Sequence, residues 1–179
     1  AHMHHFPLGE DEKAADANLN SIAARLKREG KNPYLFTLSA DTKPLTSLGY
    51  MQCALELLQQ ASEGGMQFDA VVVPSGSAAT HVGTLLGLRL AGYTMPVHGI
   101  CVRRDAKSQT ERVLSITRLA EDMLGCGEIV PESDVQCHDD WFGPSYGKLV
   151  ESTFEAIDLA GRLEALIVDP VYTAKSLAG

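Results

Sequence analysis

The sequence predicts an α/β fold, a parallel-rich sheet with helices on both faces, and three observations carry the prediction. Short β-branched or apolar runs, Val71-Val72-Val73 and Pro96–Val102, have the composition of strands buried on both faces. Each is followed by a stretch with apolar residues at helical spacing. The two patterns alternate at regular intervals through most of the 179 residues, the signature of sequential β–α units with parallel strands. Ligands in such sheets bind outside the carboxyl ends of the strands.

The elements are predicted in chain order as follows. Glu10–Arg28 is a polar helix with Leu19, Ile22, Ala23 and Leu26 on one face, stopped by Gly30. Pro33–Leu38 reads as a strand, and Ser39–Pro44 as a loop of turn formers. Leu45–Ala61 is a second helix, with Leu48, Met51, Leu55 and Leu58 as its buried stripe. The Val71–Val73 strand is ended by Pro74. The helix that follows carries Val82, Leu85, Leu86 and Leu90 and runs to about Ala91, where Gly92 caps it. Pro96–Val102 is a strand and Ala106–Leu124 a helix. Beyond Gly125 the pattern loosens. Val135–Trp141 starts as a short strand and becomes a loop, Gly143–Gly147 is a turn-rich segment bearing Tyr146, Lys148–Leu163 is helical, and Ala165–Val168 is a final strand. The chain stops at Gly179 inside what reads as the next helix, which suggests that these residues are not a whole natural unit.

Bulk composition excludes several classes. Hydrophobic residues make up 45%, so the chain is not a disordered one, and nothing reaches the roughly 18 to 20 unbroken apolar residues of a membrane span. No basic region followed by an apolar core marks a signal peptide. A net charge of −8 without a basic stripe argues against nucleic acid as a partner. Cys53, Cys101, Cys126 and Cys137 lie at unrelated spacings, as reduced thiols of a cytoplasmic protein do.

The most informative stretch is Ser75-Gly76-Ser77-Ala78-Ala79-Thr80, between the Val71–Val73 strand and the next helix. Small side chains let an anion approach the backbone, and the unpaired N–H groups and dipole of a helix start favour negative charge. The segment therefore reads as a phosphate cradle, with a plain βα connection as the weaker alternative: the two glycines and three hydroxyls from Ser75 to Gly83 exceed the one Gly and one cap that such a connection needs. It is not a Walker A loop, because Gly76 and Gly83 are seven apart and no Gly-Lys-Ser/Thr follows. Neither a GxSxG nucleophile elbow nor a GxGxxG dinucleotide fingerprint is present. Arg103 and Arg104 past the next strand read as solvated loop charges, with a nucleotide 2′-phosphate as the weaker alternative. No metal site is expected. His2, His4 and His5 belong to an exposed strand or a cloning remnant, and Cys126, Cys137, His138, Asp139 and Asp140 lack metal-ligand spacing. Asp169, Tyr172, Thr173 and Lys175 follow the last predicted strand, where such a sheet places chemistry, although a strand end with a helix cap would use the same residues.

Taken together, PSGSAATHVGTLLGL, GPSYG and DPVYTAKSLAG, with PLTSLGYMQCALEL ahead of them, closely resemble the D-cysteine desulfhydrase and 1-aminocyclopropane-1-carboxylate deaminase family. The resemblance spans nearly the entire chain. It implies a tryptophan synthase β-like fold (fold type II) and pyridoxal 5′-phosphate as cofactor. By the same resemblance Ser75, Gly76, Ser77, Ala78, Ala79 and Thr80 bind the cofactor phosphate, and Tyr146 and Tyr172 are catalytic, facing the substrate and assisting proton transfer. Thr173 falls beside the pyridine nitrogen, where the deaminases carry glutamate and the desulfhydrases threonine. A neutral partner weakens the electron sink, which suits β-elimination of a good leaving group better than opening of a cyclopropane ring.

The implied activity is a lyase of small sulfur-containing amino acids, releasing pyruvate, ammonia and sulfide or sulfite. L-cysteate sulfo-lyase and the cyclopropane deaminase are alternatives, as is a non-catalytic phosphate-binding module. The loop Ser39-Ala40-Asp41-Thr42-Lys43 departs from the family's Gly-Gly-Ser/Ala-Asn, so the substrate can differ from D-cysteine. The family's Schiff-base lysine lies in an N-terminal part without counterpart here, and Lys107, Lys148 and Lys175 do not match its position. Residues 1–32 then correspond to the end of the small domain and 33–179 to most of the large, cofactor-binding domain. This chain alone is expected to be catalytically incompetent, and the full-length protein to be a homodimer.

Overall fold

The computed structural model describes residues 3–5, 12–37 and 43–179, so the expected Glu10 helix start, Leu38 and the Ser39–Thr42 loop lie outside the described residues. Two compact units emerge, Ala1–Thr42 and Lys43–Gly179.

The first unit contains α1 (Glu12–Arg28). Leu19, Ile22 and Leu26 are half-buried and Ala23 buried along one face. Gly30, at φ +77°, closes the helix with the Gly30 N–H donating to Lys27 O and the Lys31 N–H to Leu26 O. The expected strand at Pro33–Leu38 does not form over residues 33–37. Tyr34 and Phe36 are exposed and pack edge to face at 5.2 Å. Strand composition without a ladder partner leaves the backbone groups to solvent, so extended sequence stays irregular.

The second unit has three strands, β1 (Val71–Ser75), β2 (Val97–Cys101) and β3 (Val135–His138), in a parallel sheet of order β1-β2-β3. Its helices are α2 (Lys43–Glu63), α3 (Ala79–Leu90), α4 (Ala106–Leu124), α5 (Glu151–Glu164) and α6 (Thr173–Ala178). Val71 pairs with Val97 and Val97 with Val135, so residues of like parity share a face. Ser75, Gly99 and Cys137 face α3 and α4, as their contacts with His81 and Gln109 show. Ile100 points the other way, towards Trp141 and Gly179 beyond α6. Helices thus cover both faces, as the sequence predicts.

Two strand expectations change. Pro74 does not end β1 but sits within it, opposite Ile100. The bonds from Val71 N to Pro96 O and from Val102 N to Ser75 O show that odd residues of β1 address β2. Pro74, which has no N–H, faces the edge away from β2. Nor is β1 buried on both faces, since Val72 is 49% exposed. Ala165–Val168, read as a final strand, is irregular. Ala165 adopts φ +54° as the C-cap of α5, and Ile167 is fully exposed with no ladder partner among the described residues.

The core centres on α3, in which Val82, Leu85, Leu86 and Leu88 are inaccessible to solvent. Gly83 and Gly87 lie against α2. A Cβ on Gly83 would collide with Ser47 O and come within 2.6 Å of Tyr50 Cβ, and one on Gly87 would reach Ala54 Cβ at 2.8 Å. So close an approach admits only small side chains, and the buried seam of α2 is Ser47, Ala54 and Ala61. The expected Leu48, Met51, Leu55 and Leu58 stripe is displaced from it. Leu55 is 45% exposed and the other three are half-buried.

Candidate active site

At the carboxyl end of β1 the chain turns through Gly76, Ser77 and Ala78 into α3. Ser75 is fully buried, its Oγ accepting from Gln109 Nε2 at 2.9 Å and lying 3.2 Å from His81 Nδ1. It ties β1 to α3 and α4. At Gly76 a Cβ would lie 2.9 Å from Cγ2 of Val102, the residue after β2, so the turn is held at a spacing that suits glycine. Ala78 adopts φ +81°, a left-handed conformation that costs a non-glycine residue roughly 1–2 kcal/mol. The helix start has no side-chain cap, so no side chain competes for its first N–H groups.

The turn's carbonyls are taken up from behind. Arg104 Nη1 donates to Gly76 O at 2.8 Å and Arg112 Nε to Ser77 O at 3.1 Å. Because a trans peptide sets its N–H opposite its carbonyl, these bonds turn the N–H groups of Ser77 and Ala78 away from the arginines. Two guanidinium groups behind the turn also add positive charge to the helix dipole. A cavity of about 310 Å³ opens here, lined by Tyr50, Pro74, Gly76, Ser77, Ala78, Thr80, Tyr172 and Thr173. Of the six residues expected to bind phosphate, Gly76, Ser77, Ala78 and Thr80 border it, while Ser75 and Ala79 are buried behind.

Asp169 builds the facing wall. Its Oδ1 accepts from Val171 N at 2.9 Å and Tyr172 N at 2.7 Å, and its Oδ2 from Thr173 N at 2.9 Å and Thr173 Oγ1 at 2.6 Å. Burial pushes this carboxyl up, but the bonds from Thr173, Tyr172 and Val171 outweigh it and hold Asp169 at about 2. One ionised side chain thereby sets the backbone that presents Tyr172 and Thr173.

Tyr146 does not border the cavity and stands behind Tyr172, the two hydroxyls 2.6 Å apart and the rings edge to face at 6.2 Å. The Arg103 guanidinium lies 5.8 Å from the Tyr146 ring centroid. Burial, then the bond with Tyr146, pushes the Tyr172 phenol up to about 12, with Arg103 acting against the shift. The pair can hold and pass a proton at one edge of the cavity while the turn binds an anion at another. Of the two lining residues outside the expected site, Pro74 adjoins the predicted turn, and Tyr50 is the one that sequence reasoning missed altogether. Its only signal is its place in the PLTSLGY segment.

Cys137 and His138 of β3 and Asp139 just after it serve three separate partners. Cys137 Sγ lies 4.0 Å from His81 Nδ1 on one face, His138 Nε2 lies 3.0 Å from His98 Nδ1 on the other, and Asp139 accepts from Ala106 N at 2.7 Å. The two neighbouring thiols Cys101 and Cys137 influence each other: with burial, this pushes Cys101 up and, with help from His81, brings Cys137 down to about 5.

Among curated proteins, the D-cysteine desulfhydrase of Yersinia enterocolitica is 38% identical over 161 residues, 90% of this chain and 48% of its own length. That of Klebsiella pneumoniae is 35% identical over the same shares. The chain thus spans about half the length of these relatives. A crystal structure of a homologue of ACC deaminase superposes with a TM-score of 0.81 at 29% identity, covering 97% of this chain and 51% of that one. The pyridoxal-phosphate dependent enzyme family model matches residues 1–179. Backbone N–H groups at a helix start facing an uncharged hydroxyl suit that cofactor, and the chain belongs to the pyridoxal-phosphate dependent enzyme family.

Proposed function

We propose that the full-length protein to which this chain belongs is a lyase of small sulfur-containing amino acids, eliminating the β-substituent to give pyruvate, ammonia and sulfide or sulfite. The observation that carries this reading is the cavity that sets Thr173 and Tyr172 opposite the Gly76–Thr80 turn. The N–H groups of Ser77 and Ala78 hold the cofactor phosphate, and Arg104 and Arg112 fix the turn's carbonyls behind it. When bound, pyridoxal phosphate supplies the sink for the electron pair left by the α-proton. Thr173 presents a hydroxyl and no charge, which suits loss of a good leaving group. Tyr172, protonated throughout the physiological range, holds a proton at the cavity edge and exchanges it with Tyr146. The names of the relatives support D-cysteine as substrate.

A second reading, a sulfonate-bearing substrate such as L-cysteate, is favoured by Arg103 beside the tyrosine pair. In the whole protein, exposed Phe154, Leu159 and Leu163 of α5 are read as surface covered elsewhere in a homodimer, and the four free thiols as those of a cytoplasmic protein. The test is a substrate panel of D-cysteine, L-cysteine, L-cysteate and aminocyclopropane carboxylate, given to the full-length enzyme and assayed for pyruvate and ketobutyrate. Pyruvate from D-cysteine supports the first reading and pyruvate from L-cysteate the second. Ketobutyrate from the cyclopropane would refute the argument from Thr173.

A further inference from the structure

Lys175 is an unusual residue to find in a core. Its side chain is inaccessible to solvent, three residues past Tyr172 in α6, and no carboxylate pairs with it among the described residues. Its ammonium donates to the carbonyl of Phe142 at 2.5 Å and lies 5.6 Å from the centre of the Phe142 ring. A buried cation held by one neutral acceptor and one aromatic face is costly compared with a methionine of similar length. Burial accordingly lowers its pKa.

What Lys175 touches gives that cost a use. Phe142 is the residue before Gly143-Pro144-Ser145-Tyr146-Gly147. Gly143 and Gly147, at φ +77° and +74°, turn the chain at either end of this segment, and the Lys148 N–H closes it by donating to Ser145 O at 3.1 Å. The segment therefore meets α6 and its approach at two points: Phe142 on Lys175 at its start and Tyr146 on Tyr172 at its tip.

We infer that Lys175 is a positioning residue of the proposed lyase, its ammonium fixing the start of the 142–147 loop so that the Tyr146 hydroxyl stays on Tyr172. This rests on the proposed role of the tyrosine pair. One short helix then presents Tyr172 to the cavity and, through Lys175, holds that residue's proton partner in place.

The test reads the tyrosines directly and needs no cofactor. Five tyrosines are present, so [¹³Cζ]tyrosine NMR with single Tyr→Phe assignments follows each phenol through a pH titration. Lys175→Met keeps the aliphatic packing and removes the donor. The expected result is that Tyr172 falls from about 12 towards its ordinary value as Tyr146 detaches. Phe142→Leu keeps the carbonyl and removes the ring, and is expected to leave the Tyr172 titration in place. A Lys175→Met protein that loses thermal stability with the Tyr172 titration unchanged would overturn the inference, as would an equal shift in Phe142→Leu.

If Lys175→Met does not fold, the parent chain still decides. A protected Lys175 ammonium signal with a cross-peak to the Phe142 ring is expected at neutral pH, and a solvent-exchanging amine would overturn the clamp. In the full-length enzyme the same substitution is expected to lower kcat roughly 10- to 100-fold with KM little changed. Loss of pyridoxal phosphate binding by the parent protein would instead count against the lyase reading and leave the clamp standing.

Discussion

The Tyr146 and Tyr172 hydroxyls share a hydrogen bond of 2.6 Å across 26 residues of sequence, and only Tyr172 borders the cavity. The two phenols are therefore not equivalent. Replacing Tyr172 by Phe in the full-length enzyme removes the proton that the proposed function uses at the cavity edge and is expected to cost roughly 10²–10⁴-fold in kcat. Tyr146→Phe should cost less, and it should also lower the Tyr172 phenol, because the bond from Tyr146 is one cause of its upward shift. Burial, the larger cause, keeps Tyr172 above its ordinary value of 10.0 even then. Pyruvate-release kinetics and tyrosine titration of the two variants check both statements.

Gly83→Ala is expected to be more damaging than its single methyl group suggests. The new Cβ meets Ser47 O and Tyr50 Cβ on α2, backbone and side-chain root that cannot rotate away. Overpacking of this kind costs about 1–3 kcal/mol, and here it also displaces Tyr50 from the cavity wall. Gly49→Ala on α2 is the contrast. Nothing lies within 4 Å of its Cβ, so it should stabilise the helix by about 1 kcal/mol. Urea unfolding of the two variants should move in opposite directions.

Ser75→Ala separates support of the turn from direct phosphate contact. Its hydroxyl is buried between Gln109 and His81, so removal leaves a buried amide N–H without its acceptor, at a cost of about 1–3 kcal/mol. Arg104→Gln should instead weaken binding of pyridoxine 5′-phosphate roughly tenfold, since it withdraws a charged donor from Gly76 O. A calorimetric titration showing the larger affinity loss in Ser75→Ala would contradict this division of roles.

These assignments also show where the sequence was readable. β–α alternation identified the parallel sheet because strand and helix periods differ, and the helix Ala106–Leu124 has the predicted bounds because Asp105 caps its start and Gly125 its end. The small-residue turn and the Asp169–Thr173 segment were visible as composition, and the fold brings them to one cavity. The seam of α2 was not visible. Periodicity counts large apolar residues, whereas the packing here is decided by glycines on the other helix, which bring α2 close at Ser47 and Ala54. Pro74 misled for a related reason, because a proline ends a strand only where its missing N–H was needed. Ala165–Val168 has strand composition and no strand beside it among the described residues, and a single sequence does not reveal a missing ladder.

Cys137 should be the most reactive thiol of the chain near neutral pH. The neighbouring Cys101 thiol lowers it most, burial opposes, and His81, 4.0 Å from its Sγ, adds to the lowering, which brings it to about 5. It is then thiolate from about pH 6 upward, and its alkylation by iodoacetamide should change little between pH 6 and 8. Cys101, pushed up and fully buried, should not react. Peptide mapping after brief labelling at pH 6 tests the order, and labelling of Cys53 or Cys126 ahead of Cys137 would refute it.

Asp169 yields a stability prediction with a definite sign. Its folded-state value of about 2 lies below the ordinary 3.8, so ionised Asp169 contributes stability that is fully present above about pH 4 and is lost as pH falls through about 2. The side chain is exposed, so solvent screening limits this contribution to about 1 kcal/mol. Asp169→Asn keeps the shape but turns an amide N–H₂ towards donors that need an acceptor. At pH 7 the variant should unfold at lower urea than the parent, and the gap should narrow between pH 4 and pH 2 as the parent's carboxylate takes up its proton. Phosphate affinity should survive, because the turn at Gly76–Ala78 is held by Arg104 and Arg112 and not by Asp169. What should fail with Asp169→Asn is the placement of Tyr172 and Thr173. A variant with parental kcat and a parental acid limb would show that the four bonds to this carboxylate do not hold the site.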